Sequence, residues 1–210
     1  MFSSHEYSIV GHSRVAIGRY LGIIAGLFSS VVATILASFF ALAVEHGLAE
    51  SKDYLILPLT SLTFYGVGYF LFDRWGWKLP IVRKVFNLPY VGGNWDCSGQ
   101  TIQTDNGKVL YQWDADIQIT QRWEKLSVCI ETSQSRSHSV AASIIKKEGG
   151  GAILMYSYRN EPKAGETELN SHFGYSEWHF SSDMLTAEAA YVNGFGRSTS
   201  GRMKLTKKEC

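Results

Sequence analysis

The chain has 210 residues, and its 20 lysines and arginines nearly balance 19 acidic residues to leave a formal net charge of +1. This balance excludes a strongly basic binder of polymeric nucleic acid, and the length allows one or two domains. The three cysteines, Cys97, Cys129 and Cys210, form no paired motif, which favours a reducing compartment over a disulfide framework.

Two segments without charged residues come first in the chain, at 20–44 and 54–72. A helix of the first length reaches about 37 Å, and a hydrocarbon core is about 30 Å thick. The first segment is too long for the apolar region of a signal peptide. A buried core helix is the alternative for the second segment, which contains Pro58, but proline is tolerated in spanning helices. The sequence therefore predicts two transmembrane helices.

Positive charges flank these segments on one side of the membrane. Arg14 and Arg19 precede the first segment, and Arg74 and Lys78 follow the second, whereas the loop between the segments is mainly acidic. By the positive-inside rule, this asymmetry predicts a multi-pass membrane protein with both termini in the cytoplasm.

Residues 73–90 read as a juxtamembrane linker, and residues 91–210 read as an all-β domain. Alternating apolar and polar residues recur between turn signals such as Asn106-Gly107. The predicted strands lie at about 93–103, 109–120, 125–133, 137–147, 152–160, 172–180, 184–192 and 197–208. Eight consecutive strands with short turns predict a small up-and-down antiparallel β-barrel of the lipocalin-like kind, with a two-sheet sandwich as the alternative. Glycines inside the strand patterns favour the barrel, since they often mark bends.

No pattern in the sequence predicts an enzyme, a metal site or a cofactor. Asp114 and Asp116 share one face of a strand, as a catalytic carboxylate pair could, but an exposed strand face explains them more simply. Gly194-x-Gly196 is not followed by a helix, so it lacks the helix N-terminus on which glycine-rich phosphate loops depend.

Polar and aromatic residues are instead concentrated in the later strands, in TSQSRSHS at 132–139, YSYRNEP at 156–162 and YVNGFGR at 191–197. Burying such groups without partners costs about 1–3 kcal/mol each. Each stretch alone could be ordinary packing or an exposed strand. Together they predict a polar ligand cavity, and the mixture of aromatic faces, hydroxyls, amides and guanidinium groups suits a compact nucleotide.

The order of these segments after two spans resembles the CD-NTase-associated protein 15 family, the membrane-anchored β-barrel effectors of bacterial CBASS anti-phage systems. The most specific parts are GGNWDCSG (92–99), YSYRNEP (156–162), HFGYSEW (172–178) and YVNGFGRSTSGRM (191–203). The resemblance implies a receptor that binds a cyclic dinucleotide from a partner CD-NTase. It also implies that bound protomers form a homo-oligomer and disrupt the lipid bilayer of the inner membrane, causing abortive infection.

The resemblance also implies roles for individual residues in the ligand site. Aromatic lining is expected from Trp95, Tyr156, Tyr158 and Tyr191, phosphate contacts from Arg136 and Arg197, and hydrogen bonds from Ser135, Ser137, Asn160, His172 and Asn193. If Leu154, Tyr156, Tyr158 and Asn160 face inward, then Ile153, Met155 and Ser157 must face outward, which is unusual for a soluble barrel. Part of the outer surface is therefore expected to be an interface.

Two other functions fit parts of the sequence. The tryptophan in GGNWDC suits a membrane-anchored, lipocalin-like carrier of an apolar small molecule, which would have an apolar cavity outside the membrane. A barrel filled with side chains would instead be a structural interaction module.

Overall fold

The computed structural model describes residues 4–11, 13–48, 61–103, 107–167, 169–194 and 199–208. The chain divides into two compact units. One is the segment His12–Gly76, and the other combines Met1–Gly11 with Trp77–Cys210.

The first unit is helical. Helix α1 runs from Arg14 to Glu45 and helix α2 from Ser61 to Arg74. Within the described residues, one helical stretch, Ile17–Glu45, is long and apolar enough to cross a membrane. It contains the first predicted span. Its hydroxyl groups donate to carbonyl oxygens one turn earlier, as Ser30 does to Gly26 and Thr34 to Ser30. These bonds let polar side chains sit in an apolar helix.

The second predicted span, 54–72, begins outside the described residues. The part that is described belongs to α2, whose 14 residues are too few to cross a bilayer by themselves. Inside the helical unit, α2 packs on α1. The Phe28 and Phe64 rings meet edge to face at 5.3 Å, and Gly22 lies beside the ring of Tyr65.

The second unit contains nine strands and one short helix. The strands are β1 (His5–Ile9), β2 (Gly93–Ile102), β3 (Val109–Gln121), β4 (Lys125–Glu131), β5 (Ser135–Lys146), β6 (Ala152–Pro162), β7 (His172–Phe180), β8 (Thr186–Asn193) and β9 (Ser200–Lys207). Helix α3 (Pro80–Val85) lies in the predicted linker and begins at a proline, whose missing N–H costs nothing at that position.

The strands form one closed barrel. From β2 to β9, each strand is antiparallel to the next, and β9 pairs with β2 to complete the ring. The prediction of eight strands was incomplete, because β1 is a ninth. It lies between β4 and β5, antiparallel to β4 and parallel to β5.

Strand β1 also corrects the prediction that residues 1–72 are all membrane region. Tyr7 and Ile9 point into the barrel and are each 5% exposed. The Tyr7 hydroxyl donates to the Arg122 carbonyl at 3.0 Å and accepts from the Gln121 amide at 3.1 Å. Five residues with only two inward positions carry too little alternation to be recognised as a strand beside a long apolar segment.

The barrel is filled at one end. Trp95, Trp123, Trp178 and Phe180 are almost fully buried there, and the Trp95 and Phe180 rings meet at 5.2 Å. Trp77, ahead of α3, packs against Trp123 at 6.4 Å. We call this the closed end. The opposite end, where β6 ends and β7 begins, is the mouth.

Candidate ligand-binding site

A cavity opens at the mouth of the barrel. It is lined by Thr101, Tyr111, Trp113, Ile130, Thr132, Ser133, Gln134, Ser135, Ser137, Tyr156, Tyr158, Asn160, Leu169, His172, Ser176, Tyr191, Asn193 and Met203. The inward positions of eight strands thus meet in one space. Most of these side chains carry a hydroxyl, an amide or an aromatic ring, so the cavity suits a polar ligand with flat groups.

Hydrogen bonds hold the side chains around the cavity in fixed orientations. The Tyr158 hydroxyl donates to Asn193 Oδ1 at 2.6 Å, and Asn193 Nδ2 donates to the Thr199 hydroxyl at 2.8 Å. Ser137 donates to Asn160 Oδ1 at 2.7 Å. Both asparagines therefore present a defined amide face before any ligand arrives.

A second cluster holds two aromatic rings. Trp113 Nε1 donates to Thr101 Oγ1 at 3.2 Å, and Thr101 Oγ1 bonds the Tyr191 hydroxyl at 2.7 Å. The Trp113 and Tyr191 rings meet edge to face, with centroids 6.0 Å apart. Together they form a rigid aromatic wall against which a planar base could stack.

Histidine 172 has a defined tautomer in its neutral form. Its Nδ1 lies 2.9 Å from the Asn170 carbonyl oxygen, which can only accept, so Nδ1 carries the proton. The ring is 5% exposed. Nε2 is then an acceptor, suited to an N–H or O–H group of a ligand.

Tyr156 has a hydroxyl that is buried and makes no hydrogen bond. It lies near Ser176 and Trp178 without regular bonding geometry to either, since Ser176 donates to the Ala190 carbonyl and Trp178 Nε1 donates to Ser176. Burial raises the pKa of Tyr156 well above its usual range, so the hydroxyl keeps its proton. A buried unpartnered donor in a polar cavity is a place for a ligand acceptor.

Glycines in the wall make room for the rings. A Cβ atom at Gly174 would overlap the ring of Tyr158, and one at Gly201 would overlap the ring of Tyr191. Gly99 has the same relation to Trp113. Glycines inside the strands were predicted to mark bends, and these three also accommodate the aromatic rings of the cavity.

Most of the predicted site residues meet in this cavity. Ser135, Ser137, Tyr156, Tyr158, Asn160, His172, Tyr191 and Asn193 all line it. Their contacts with a ligand stay predictions. Arg197 lies outside the described residues.

Trp95 and Arg136 do not line the cavity, which corrects the sequence analysis. Trp95 faces inward, but it comes early in β2, near the closed end, where its Nε1 donates to the Val91 carbonyl. Arg136 lies between the inward Ser135 and Ser137, so strand alternation turns it outward, where it pairs with Glu131 at 2.5 Å. Among the described lining residues there is no lysine or arginine.

Several lining residues were missed from the sequence, chiefly Thr101, Trp113 and Ser176. Each shares the inward face of its strand with recognised core residues, as Trp113 does with Ala115 and Ile117. That alternation was visible, but it does not show how far along the barrel the filled core ends.

The acidic pair predicted to be an exposed strand face lies outside the cavity. Asp116 accepts from Lys208 Nζ at 2.6 Å, and Asp96 on the neighbouring strand lies 2.9 Å from the same atom. Among the residues that the structure describes, no three histidine, cysteine or acidic side chains are grouped to hold a metal ion.

Comparison with known proteins covers both units of the chain. The family model described as "Cap15, cyclic dinucleotide receptor domain" matches residues 86–207, and the one described as "Cap15, TM helices" matches residues 15–78. The chain is also 35% identical over 213 aligned positions to CD-NTase-associated protein 15 of Yersinia aleksiciae, covering 98% of each chain. The chain therefore belongs to the Cap15 family, with a receptor domain for cyclic dinucleotides and a membrane domain.

Proposed function

We propose that this protein is an anti-phage CBASS effector that binds a cyclic dinucleotide in the mouth cavity of its barrel. The observation that carries the proposal is the cavity itself, whose wall combines stacking rings, oriented amides and the unpartnered Tyr156 hydroxyl. The receptor-domain match supports the ligand class.

Different groups of the cavity wall suit the bases and the phosphates of such a ligand. The Trp113 and Tyr191 rings offer faces for a base, and Asn160 and Asn193 offer hydrogen bonds to base edges. No described lining residue carries a fixed positive charge. Within the described wall, the phosphates are therefore bound by hydrogen bonds from hydroxyl groups, including that of Tyr156. Arg197, in the β8–β9 connection, is the guanidinium that we expect to complete the phosphate contact.

The proposed response takes place in the membrane. Helix α1 spans the inner membrane, and the segment predicted from the sequence at 54–72 is the second span, with both termini in the cytoplasm. Ligand-bound protomers self-associate, and their helices disrupt the bilayer to kill the infected cell. The protein acts as a receptor and has no catalytic step.

An apolar cargo is a poorer match. A carrier of that kind needs an almost wholly apolar pocket, whereas Asn160, His172 and Ser176 are buried polar residues of this wall. The alternative of a structural interaction module requires a barrel filled with side chains from end to end, and the cavity at the mouth is inconsistent with it.

The test is calorimetric titration of the full chain in lipid nanodiscs with cyclic di-AMP, cyclic di-GMP, cyclic GMP–AMP and pyrimidine-containing analogues. The full chain is needed because β1, at the N-terminus, is part of the barrel. We expect saturable binding of at least one compound, lost in Arg197→Ala and kept in the outward-facing Arg136→Ala. Absence of binding by every compound, together with binding of a fatty acid, would refute the proposal.

A further inference from the structure

The outer face of β7, β8 and β9 carries a regular grid of side chains, which we call the outer patch. Its three rows across the strands are Tyr175–Val192–Ser200, Glu177–Ala190–Arg202 and His179–Glu188–Lys204. Each row consists of residues in register, so the positions follow directly from the strand pairing.

The middle row forms a groove. Ala190 is its floor, with Glu177 on the β7 side and Arg202 on the β9 side. Arg202 is exposed and makes no ion pair with any residue that the structure describes. The Glu177 side chain is 39% exposed and accepts a bond from His179. Because Ala190 is small, the groove between Glu177 and Arg202 leaves space for side chains of another molecule.

The mouth side of the outer patch is apolar. Val192 is 52% exposed and Tyr175 42%, and the adjacent Phe173 is 49% exposed. The next two strands round the barrel, β2, which pairs with β9, and β3, instead present the acidic residues Asp96, Asp114 and Asp116 on their outer face. Exposed apolar side chains that occur together, with balanced charges beside them, mark an interaction surface.

We propose that the outer patch binds the outer patch of a second copy of this chain, about a two-fold axis parallel to β8. Such an axis exchanges the β7 and β9 sides. Glu177 then faces the partner's Arg202, and this pair forms twice. Val192 meets the partner's Val192 over the shallow floor at Ala190. A two-fold axis perpendicular to the strands would instead place Glu177 against the partner's Glu177 and is disfavoured.

The direction of this axis agrees with two copies held by one membrane. Rotation about an axis parallel to the strands keeps both mouths pointing the same way. The helical segment is inserted between two points of the barrel domain, and both points lie at the closed end. The chain leaves the barrel after Ile9, which pairs with Ile144, and it returns at Trp77, which packs on Trp123. Both copies therefore direct these connections to the same side.

The balance of charge selects this partner over others. Glu177 and Glu188 offset Arg202 and Lys204, so the outer patch has no excess charge to attract an anionic membrane or a nucleic acid. Glu177 and Arg202 lie on opposite sides of β8, which makes the middle row complementary to itself, as a two-fold contact requires. Glu188, on β8 itself, faces the partner's Glu188, and the Lys204 of each copy flanks these two carboxylates.

The same three strands form part of the cavity wall, so the outer patch can respond to ligand; this step rests on the proposed function. Ser176, Tyr191 and Met203 point inward from between the outward residues of β7, β8 and β9. A patch three strands wide is smaller than the roughly 800 Å² per partner of a stable complex. Self-association therefore depends on the concentration that a shared membrane provides.

The test uses cysteine cross-linking of the full chain in membranes, with Cys129 and Cys210 replaced by serine. Cys97 can remain, because burial raises the pKa of its thiol to about 12 and keeps it unreactive. Ala190→Cys lies on the proposed axis and, because sheets packed face to face lie about 10 Å apart, should form a covalent dimer with a bismaleimide cross-linker of about that span. Gln112→Cys, outward on β3, is the control and should stay monomeric.

Charge exchange then tests the geometry. Adding Glu177→Arg to Ala190→Cys should reduce the dimer about tenfold, as should adding Arg202→Glu, and combining both should restore it. Loss without restoration in the combined variant overturns the proposed axis, as does dimer formation at Ala190→Cys no greater than at Gln112→Cys.

The same membranes are measured for binding of radiolabelled cyclic di-AMP, cyclic di-GMP and cyclic GMP–AMP by filtration. Nucleotide binding with no charge-dependent dimer would overturn the outer patch and leave the proposed function standing. A charge-dependent dimer with no nucleotide binding would support the outer patch and count against the proposed ligand.

Discussion

The two ends of the barrel use the same strands for different purposes. At the closed end the inward positions are large apolar side chains, with Phe180 in contact with both Trp95 and Trp178. At the mouth they are tyrosines, asparagines and hydroxyl residues around an open cavity. The backbone pattern does not change between the ends, so the difference lies in side-chain chemistry alone.

This difference separates stability from recognition. The closed end buries apolar surface around a hydrogen-bonded core group, Gln121, which bonds Val91 N, Pro89 O and the Tyr7 hydroxyl, although the buried Trp77 Nε1 has no partner there among the described residues. The mouth leaves the buried Tyr156 hydroxyl unpartnered. We infer that the closed end supports a mouth whose polar groups are held ready for a ligand. Substitutions at the two ends should therefore have opposite consequences.

The largest effect is expected at the closed end. Trp95→Ala removes a fully buried ring and should lower the free energy of unfolding by about 3–5 kcal/mol. Urea denaturation of the full chain in detergent, followed by tryptophan fluorescence, measures it. The mouth substitution Trp113→Phe keeps an aromatic ring and serves as control. An equal loss in both variants would contradict the contrast between the ends.

Gln121→Ala should cost about 3 kcal/mol, because it leaves several buried groups without partners. Gln118→Ala, outward on the same strand, should stay within about 0.5 kcal/mol of the wild type. The same denaturation experiment measures both. If the two glutamines proved equivalent, the role assigned to the buried hydrogen-bond network would be wrong.

One chemical change made at both ends gives the sharpest comparison. Tyr7→Phe removes a bonded hydroxyl at the closed end and should cost about 1 kcal/mol. Tyr156→Phe removes an unpartnered one and should raise stability by up to about 1 kcal/mol, while weakening cyclic dinucleotide binding about fivefold. Thermal melts and titration calorimetry measure the two properties. A destabilised Tyr156→Phe with unchanged affinity would contradict the role of this hydroxyl.

The smallest effect concerns pH. Burial, and then the neighbouring Arg136 guanidinium, lower the pKa of His138, against the opposing influence of Glu161 and Glu131. The unfolded chain therefore binds a proton more readily than the barrel does. Stability is complete above the ordinary histidine pKa of about 6.5 and is lost as the pH falls from there through the folded-state value.

Melting temperatures across this pH range should show a shallower decline in His138→Gln than in the wild type. Gln118→Ala, outward on β3, changes no ionisable group, so it is the control and should leave the slope unchanged. An identical slope in all three proteins would show that His138 does not contribute.

The site could be predicted where composition departs from that of a filled core. Tyr156, Tyr158 and Asn160 alternate with other residues in a single strand, so the sequence placed them on one face and left open whether that face points inward; the structure shows that it does. Ser135, Arg136 and Ser137 were all predicted to contact the ligand, but consecutive residues of one strand point to alternate faces, so Arg136 cannot share the face of its two neighbours. The prediction that Trp95 lines the cavity was wrong for another reason. Alternation gives the face on which a residue lies, but it does not give its position along the barrel axis.

Local periodicity and composition by themselves determined that an apolar helical segment precedes an all-β domain, and that the later strands are too polar for a dry core. These properties depend on neighbouring residues, so they can be read in order along the chain. The inclusion of β1 between β4 and β5, the depth at which packing ends and the cavity begins, and the charge grid on β7 to β9 were decided only by the tertiary structure. Each depends on register and closure between strands far apart in sequence, which no local pattern specifies.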